Sequence, residues 1–155
     1  MGEVFVAKFA DDTQDHRLGE TKLVLEQVQH HPPISAYAVW NEKQNTLLEG
    51  YSGVRAFMSA TSLNVRQHGH ALLHYRNLGE DYLITLPPLH LEGLIKGSPT
   101  VELDQKSYIQ SSSKYCAVFE YSGRGYFSGK SNSFKCRIYR NHEESLNKYN
   151  ALYTI

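Results

Sequence analysis

The stretch that decides the fold runs from Lys22-Leu23-Val24-Leu25-Glu26-Gln27-Val28, through Gln29-His30-His31-Pro32-Pro33, into Ser35-Ala36-Tyr37-Ala38-Val39-Trp40-Asn41. Two β-type runs flank a polar block that ends in paired prolines. Proline has no N–H to give to a ladder, so the first strand must stop there, and the pair stiffens the turn into the next. Pro32 also biases His31 toward extended backbone. The same grammar continues outward. Val4–Phe9 precedes it, closed by the polar stretch Ala10–Gly19. Thr46–Ser52, Val54–Met58, Leu63–Gln67, His70–Tyr75, Tyr82–Leu86, Leu89–Glu92, Ser107–Gln110, Ala117–Tyr121 and Phe134–Tyr139 follow, punctuated by Asn, Gly, Ser and Pro clusters. Short strands spaced by about ten residues read as a mainly β protein, an antiparallel meander closing toward a barrel or sandwich. One short helix is expected near the C-terminus, over His142–Tyr149, with Asn141 as its cap and Glu144 completing a capping box. No repeat or linker divides the chain, so residues 1–155 read as one unit.

Composition narrows the function classes. Sixteen Lys+Arg balance sixteen Asp+Glu, which removes the whole-molecule attraction that nucleic-acid binders use. No window reaches the roughly 18 uninterrupted apolar residues of a transmembrane helix, and Met1–Phe5 has no signal-peptide pattern. Cys116 and Cys136 stand alone, without the spacing of a metal knuckle or disulfide framework. No metal and no cofactor are expected, and a reducing, cytoplasmic setting follows.

Several runs are apolar on both faces, Val4–Ala7 and Ala36–Trp40 most clearly. Successive strand residues point to opposite sides, so such a run needs apolar surroundings on both. Either a covering helix or second sheet, the commoner arrangement, or a barrel holding an apolar ligand supplies them.

The densest polar feature is Glu26–Pro33. Adjacent histidines in extended chain diverge, which makes His30 and His31 a poor bidentate zinc pair. Three readings remain for them: a surface turn, a metal site, or an anion site in which each imidazole donates a hydrogen bond worth roughly 1.5–3 kcal/mol when charge-assisted. Gly123–Ser131 invites comparison with a phosphate-binding loop, but Arg124 stands where its first glycine belongs and a strand follows, so a basic hairpin is the better reading. His90 and Glu92 share a strand face, as an acid/base pair would. No nucleophile or Gly-x-Ser-x-Gly elbow accompanies them, and a hydrogen-bonded pair in a barrel wall is the plainer account. The chain does not read as an enzyme.

Glu26-Gln27-Val28-Gln29-His30-His31-Pro32-Pro33 resembles the fingerprint of the oxysterol-binding-protein-related family, with Gln29 where that family carries Ser. Gly2–Phe5, Leu18–Thr21, Leu86–Gly93, Ser107–Ser112 and Tyr121–Lys130 are similar to further blocks of its short, lipid-domain-only members. The resemblance implies a β-barrel, here incomplete, that binds sterol and/or phosphatidylinositol 4-phosphate. It implies non-vesicular transfer of these lipids between membranes by a cytoplasmic protein that touches membranes peripherally. It places the head-group phosphate at His30 and His31. The sterol pocket would fall at Ser52, Val54, Leu63, Gln67 and Leu91, with Gln67 acting through a bridging water. Ser52 stands where sterol-binding relatives carry Asn.

The family's lid, its Leu-Asn-Pro loop and its later basic helical region have no counterpart in these residues, so the chain reads as the central part of the domain. A phosphomonoester carries about −1.5 to −2 charge at neutral pH, and imidazoles, which titrate near pH 6.5, do not neutralise it alone. Weak phosphoinositide binding and impaired transfer are expected. The alternative is a non-transporting interaction or regulatory protein derived from the same domain. Uncovered strand edges would favour self-association.

Overall fold

Eleven strands, all paired antiparallel, make up a single sheet in the computed structural model, which describes residues 2–12, 16–59, 62–92, 100–122 and 132–140. They are β1 (Val4–Phe9), β2 (Thr21–Gln29), β3 (Ile34–Asn41), β4 (Thr46–Met58), β5 (Leu63–Tyr75), β6 (Glu80–Thr85), β7 (Leu89–Glu92), β8 (Thr100–Leu103), β9 (Lys106–Ser111), β10 (Tyr115–Ser122) and β11 (Ser133–Arg140). The order across the sheet is β1-β2-β3-β4-β5-β6-β9-β10-β11, while β7 pairs with β5 and β8 with β7. The expected meander is present. The ladder does not close, since β1 and β11 are not paired with one another. The expected helix at His142–Tyr149 and the loop Gly123–Ser131 lie outside the described residues.

Three departures from the sequence reading have physical causes. Thr46–Ser52 and Val54–Met58 form one strand, as do Leu63–Gln67 and His70–Tyr75. Gly53 and Gly69, which look like breaks, lie inside the β4–β5 ladder opposite His68 and Ser52. There Gly69 marks a close approach to the Tyr51 backbone and Gly53 makes room for the His68 ring, and neither is a turn. The short strand β8 arises from Thr100–Leu103, which the sequence alone left as connection. The sheet also forks along β5. Leu63–Val65 pairs with β7 and His70–Tyr75 with β6, leaving Arg66–Gly69 without a partner on that side. The fork sits where the chain passes through Pro87-Pro88, which cannot donate to a ladder. The Gln67 side-chain amide bridges it, donating from Nε2 to the Pro87 carbonyl at 3.3 Å.

Directly opposed residues share a face, so register sorts the whole sheet in two. One face carries Leu23, Tyr37, Leu48, Val65, Ala71 and Leu89. The other carries Lys22, Glu49, Arg55, His74, Asp81 and Glu120, together with the ion pairs Lys106–Glu120 (2.9 Å), Arg137–Glu120 (3.4 Å) and His74–Asp81 (2.7 Å). Neighbouring cations hold the Glu120 carboxyl below its ordinary value.

The apolar face is poorly covered. Among the described residues only Ala71 and Val118 are buried hydrophobics, and no large side chain is fully buried. A single sheet must bury its apolar face against another layer or a ligand. Full burial of one Leu or Phe is worth roughly 1.5–3 kcal/mol, so this face holds the largest unused stabilisation in the molecule.

Candidate lipid-binding site

The histidine pair sits on the β2–β3 connection. The β2–β3 register shifts between Gln27 and Gln29, leaving Val28 bulged, and a bulge re-aims the residues that follow it. Residues 30–33 then form a turn, and the Gln29 amide donates to the His31 carbonyl at 3.2 Å. Both imidazoles are exposed, with ring centroids 4.2 Å apart and planes 49° from parallel. The expected divergence does not occur, because these two residues are in a turn rather than in extended chain. The two rings lie side by side at the surface. Among the described residues no three His, Cys, Asp or Glu side chains converge as metal ligands.

The five residues assigned to the lipid pocket all fall on the apolar face. Val54 opposes Gln67 directly, and Ser52 opposes Gly69 on one side and Ser35 on the other. Leu63 opposes Leu91 across the β5–β7 pairing. Ser52, Leu63, Gln67 and Leu91 are half-buried, and Val54 is 44% exposed. Ser35 lies one residue into β3 from the turn that carries the histidines, so Ser52 and Val54 sit at the histidine end of the face. Ala56, Val65 and Leu89 occupy the same face and extend the apolar strip.

Sequence reasoning missed the other end. There an open hollow of about 450 Å³ is lined by Thr21, Val39, Leu48, Leu73 and Tyr75, with Asn41 among them. Asn41 is buried, and its amide donates to the Leu18 carbonyl and to Thr21 Oγ1, both at 2.9 Å, while its Oδ1 accepts from the Gln44 N–H at 2.9 Å. It ties the β1–β2 and β3–β4 connections to the start of β2. Between the two ends lies Tyr37, opposite Leu25 and Gly50. Burial raises its hydroxyl pKa, so at neutral pH it is a protonated donor set in apolar surroundings.

His90 is on the polar face, where its Nδ1 is 2.5 Å from the Asn64 side-chain oxygen directly opposite. That is a cross-strand pair in the sheet wall, made with Asn64; the Glu92 side chain lies outside the described residues.

The apolar face is thus uncovered, with Tyr37 at its middle and the histidine turn at one end. The comparisons name the family. The chain matches the oxysterol-binding protein family over residues 1–153, and it belongs to that family. It is 47% identical over 138 residues to protein kes1 of Schizosaccharomyces pombe, covering 89% of this chain and 34% of that protein. It is 43% identical over 159 residues to protein KES1 of Mycosarcoma maydis, covering 100% of this chain and 39% of that protein. The chain thus spans little more than a third of the length of these curated relatives. The fold is similar to the crystal structure of the Osh3 ORD in complex with PI(4)P from Saccharomyces cerevisiae, at TM-score 0.69 and 24% identity over 84% of this chain and 34% of that one. It is equally similar to the Osh1 ORD domain in complex with cholesterol, at TM-score 0.69 and 22% identity over 86% of this chain and 31% of that one. The family is one of lipid-binding and lipid-transfer proteins, not of enzymes.

Proposed function

We propose that this chain binds a sterol and/or phosphatidylinositol 4-phosphate along its apolar face and contributes to non-vesicular transfer of that lipid between membranes. Residues 1–155 supply the central part of the lipid-binding domain. The observation that carries the reading is positional. Ser52, Val54, Leu63, Gln67 and Leu91 share the one apolar face, and the convergent His30–His31 rings stand at its end. The apolar face holds the lipid body, since each buried methylene is worth about 0.8 kcal/mol. The histidines receive the phosphate, and Tyr37 offers a hydroxyl donor midway. Two imidazoles by themselves do not neutralise a phosphomonoester of about −1.5 to −2 charge, so head-group affinity is expected to be weak and transfer impaired in this chain. No helix among the described residues is long and apolar enough to cross a membrane, and the reading makes the protein a peripheral, cytoplasmic visitor to bilayers. Native mass spectrometry after exposure to a mixed lipid extract is expected to show a retained sterol or phosphoinositide. Persistent recovery of lipid-free protein from that extract would sink the carrier reading.

A second reading, a non-transporting interaction protein, is favoured by the edges. On β1, Phe5 and Phe9 are each 58% exposed, and on β11 Ile138 is 71% exposed, all on the apolar face. An unpaired edge with apolar side chains recruits another strand, so the chain is expected to self-associate. Light scattering coupled to size exclusion should give a mass above the monomer that falls when lipid is bound; a monomer at high concentration without lipid rejects it.

A further inference from the structure

The outer ends of β4 and β5 form a hairpin whose charge pattern the apolar face does not use. From Gly50 to Gly79 the chain contains no Asp, Glu or Lys and three Arg (Arg55, Arg66 and Arg76), although the whole molecule has zero formal net charge. Arg55 and Arg66 are directly opposed on the polar face, and both are exposed. Like charges in that position destabilise a strand pair. Neither guanidinium has an ion-pair partner among the described residues. Arg66 lies 5.7 Å above the Phe57 ring, its neighbour on the same face. The last β3–β4 pair is Ile34 with Gly53, so Val54–Met58 project about 17 Å past β3 at ~3.4 Å per residue. At the end of β4, Phe57 is 52% and Met58 80% exposed. The His68 ring lies over Gly53, and Gly53 opposes the first residue after the His30–Pro33 turn. Along β4 and β5 themselves no carboxylate interrupts the stretch from Gly53 to the end of β4, while Glu102 stands on the same face two strands from β5, opposite His90.

We infer that this hairpin is a membrane-docking element: Arg55 and Arg66 engage anionic lipid head groups while Phe57 and Met58 enter the interface. The inference rests on the lipid-binding reading and extends it by naming the surface that meets the bilayer. Opposed arginines cost the fold something, and an anionic surface is the partner that repays both at once. Exposed apolar side chains at a strand end beside a pair of arginines are a composition that seats at a bilayer interface. An acidic protein would attract the arginines equally, yet it would have no need of the exposed methionine and phenylalanine.

The test uses the 155-residue chain and vesicles without phosphoinositide, either phosphatidylcholine alone or with about 30% phosphatidylserine. The parent should partition onto the anionic vesicles and be released by salt, as a screened surface interaction is. R55Q/R66Q should partition about 30-fold more weakly, two arginines at ~1 kcal/mol each with ~1.4 kcal/mol per factor of ten. It should unfold at the same or a higher temperature, because an opposed charge pair has gone. F57S/M58S should also lose partitioning, while H30A/H31A should keep it. Parent-like partitioning by R55Q/R66Q, or no preference of the parent for anionic vesicles, overturns the inference. Parent-like partitioning by F57S/M58S overturns it too, and points to an acidic protein partner. Undiminished lipid retention in native mass spectra alongside any of these means that only the docking surface is wrong. Lost retention with intact, arginine-dependent partitioning means that only the carrier reading is wrong.

Discussion

Gly69→Ala is expected to destabilise the chain by about 3–5 kcal/mol, a large share of the usual total of roughly 5–15 kcal/mol. Gly69 has φ +121°, a region that side-chain-bearing residues enter at a cost of ~1–3 kcal/mol. A Cβ there would also lie 2.1 Å from the Tyr51 carbonyl oxygen and 3.2 Å from the Ser52 Cα. Those atoms are backbone in a ladder, so relief requires parting β4 from β5 where Ser52 faces Gly69, at the cost of hydrogen bonds worth ~1 kcal/mol each. Gly79→Ala is the control. Gly79 has φ +64°, and a methyl group added there would meet nothing within 4 Å, so it pays only the conformational cost of ~1–2 kcal/mol. Urea titrations of both variants should differ by the steric part alone. Equal midpoints would mean that the close approach at Tyr51 does not exist in solution. Because Gly69 adjoins Ser52 and lies two residues from Gln67, the same measurement reports how tightly the histidine end of the apolar face is built.

Strand order was legible, because alternation and turn chemistry act locally and each strand pairs mostly with its sequence neighbour. What glycine and proline do inside that order was not. Gly53 and Gly69 have the same composition signal whether they turn the chain or make room for what faces them, and only the facing residues, Ser52 and His68, decide between these. Pro87-Pro88 announces a missing donor. That the missing donor opens a fork along β5, patched by Gln67, depends on residues about twenty positions away. The site shows the same division. Spacing of two puts Ser52 with Val54, and spacing of four puts Leu63 with Gln67. That both pairs share a face, and that Leu91 joins them, follows only from the register of β4, β5 and β7. The Asn41 closure was invisible because its partners come from two separate connections and the start of β2. The histidines stood out as a motif, but ring orientation belongs to the turn, and there the expectation of divergence failed.

That convergence sets the second large effect. Replacing both His30 and His31 with alanine is expected to reduce phosphoinositide-dependent vesicle binding by about 10–100-fold, the equivalent of ~1.4–2.8 kcal/mol. Each imidazole can supply a hydrogen bond to a phosphate oxygen worth roughly 1.5–3 kcal/mol gross when charge-assisted, and desolvation removes part of it. With ring centroids 4.2 Å apart, the two would reach the same phosphate, so their effects are coupled rather than additive. Either single variant should then lose less than half of what the double variant loses, because the remaining ring can turn toward the phosphate. Both rings are exposed, so thermal stability should hardly change, and sterol binding on the apolar face should persist. Flotation with vesicles of phosphatidylcholine, with and without about 5% phosphatidylinositol 4-phosphate, reads the increment due to the head group. An undiminished increment in the double variant would remove these histidines from the proposed site and leave only the apolar face in it. A loss of sterol binding in the same variant would show instead that the turn shapes the whole histidine end of the face, with Ser52 and Val54 moving when it moves.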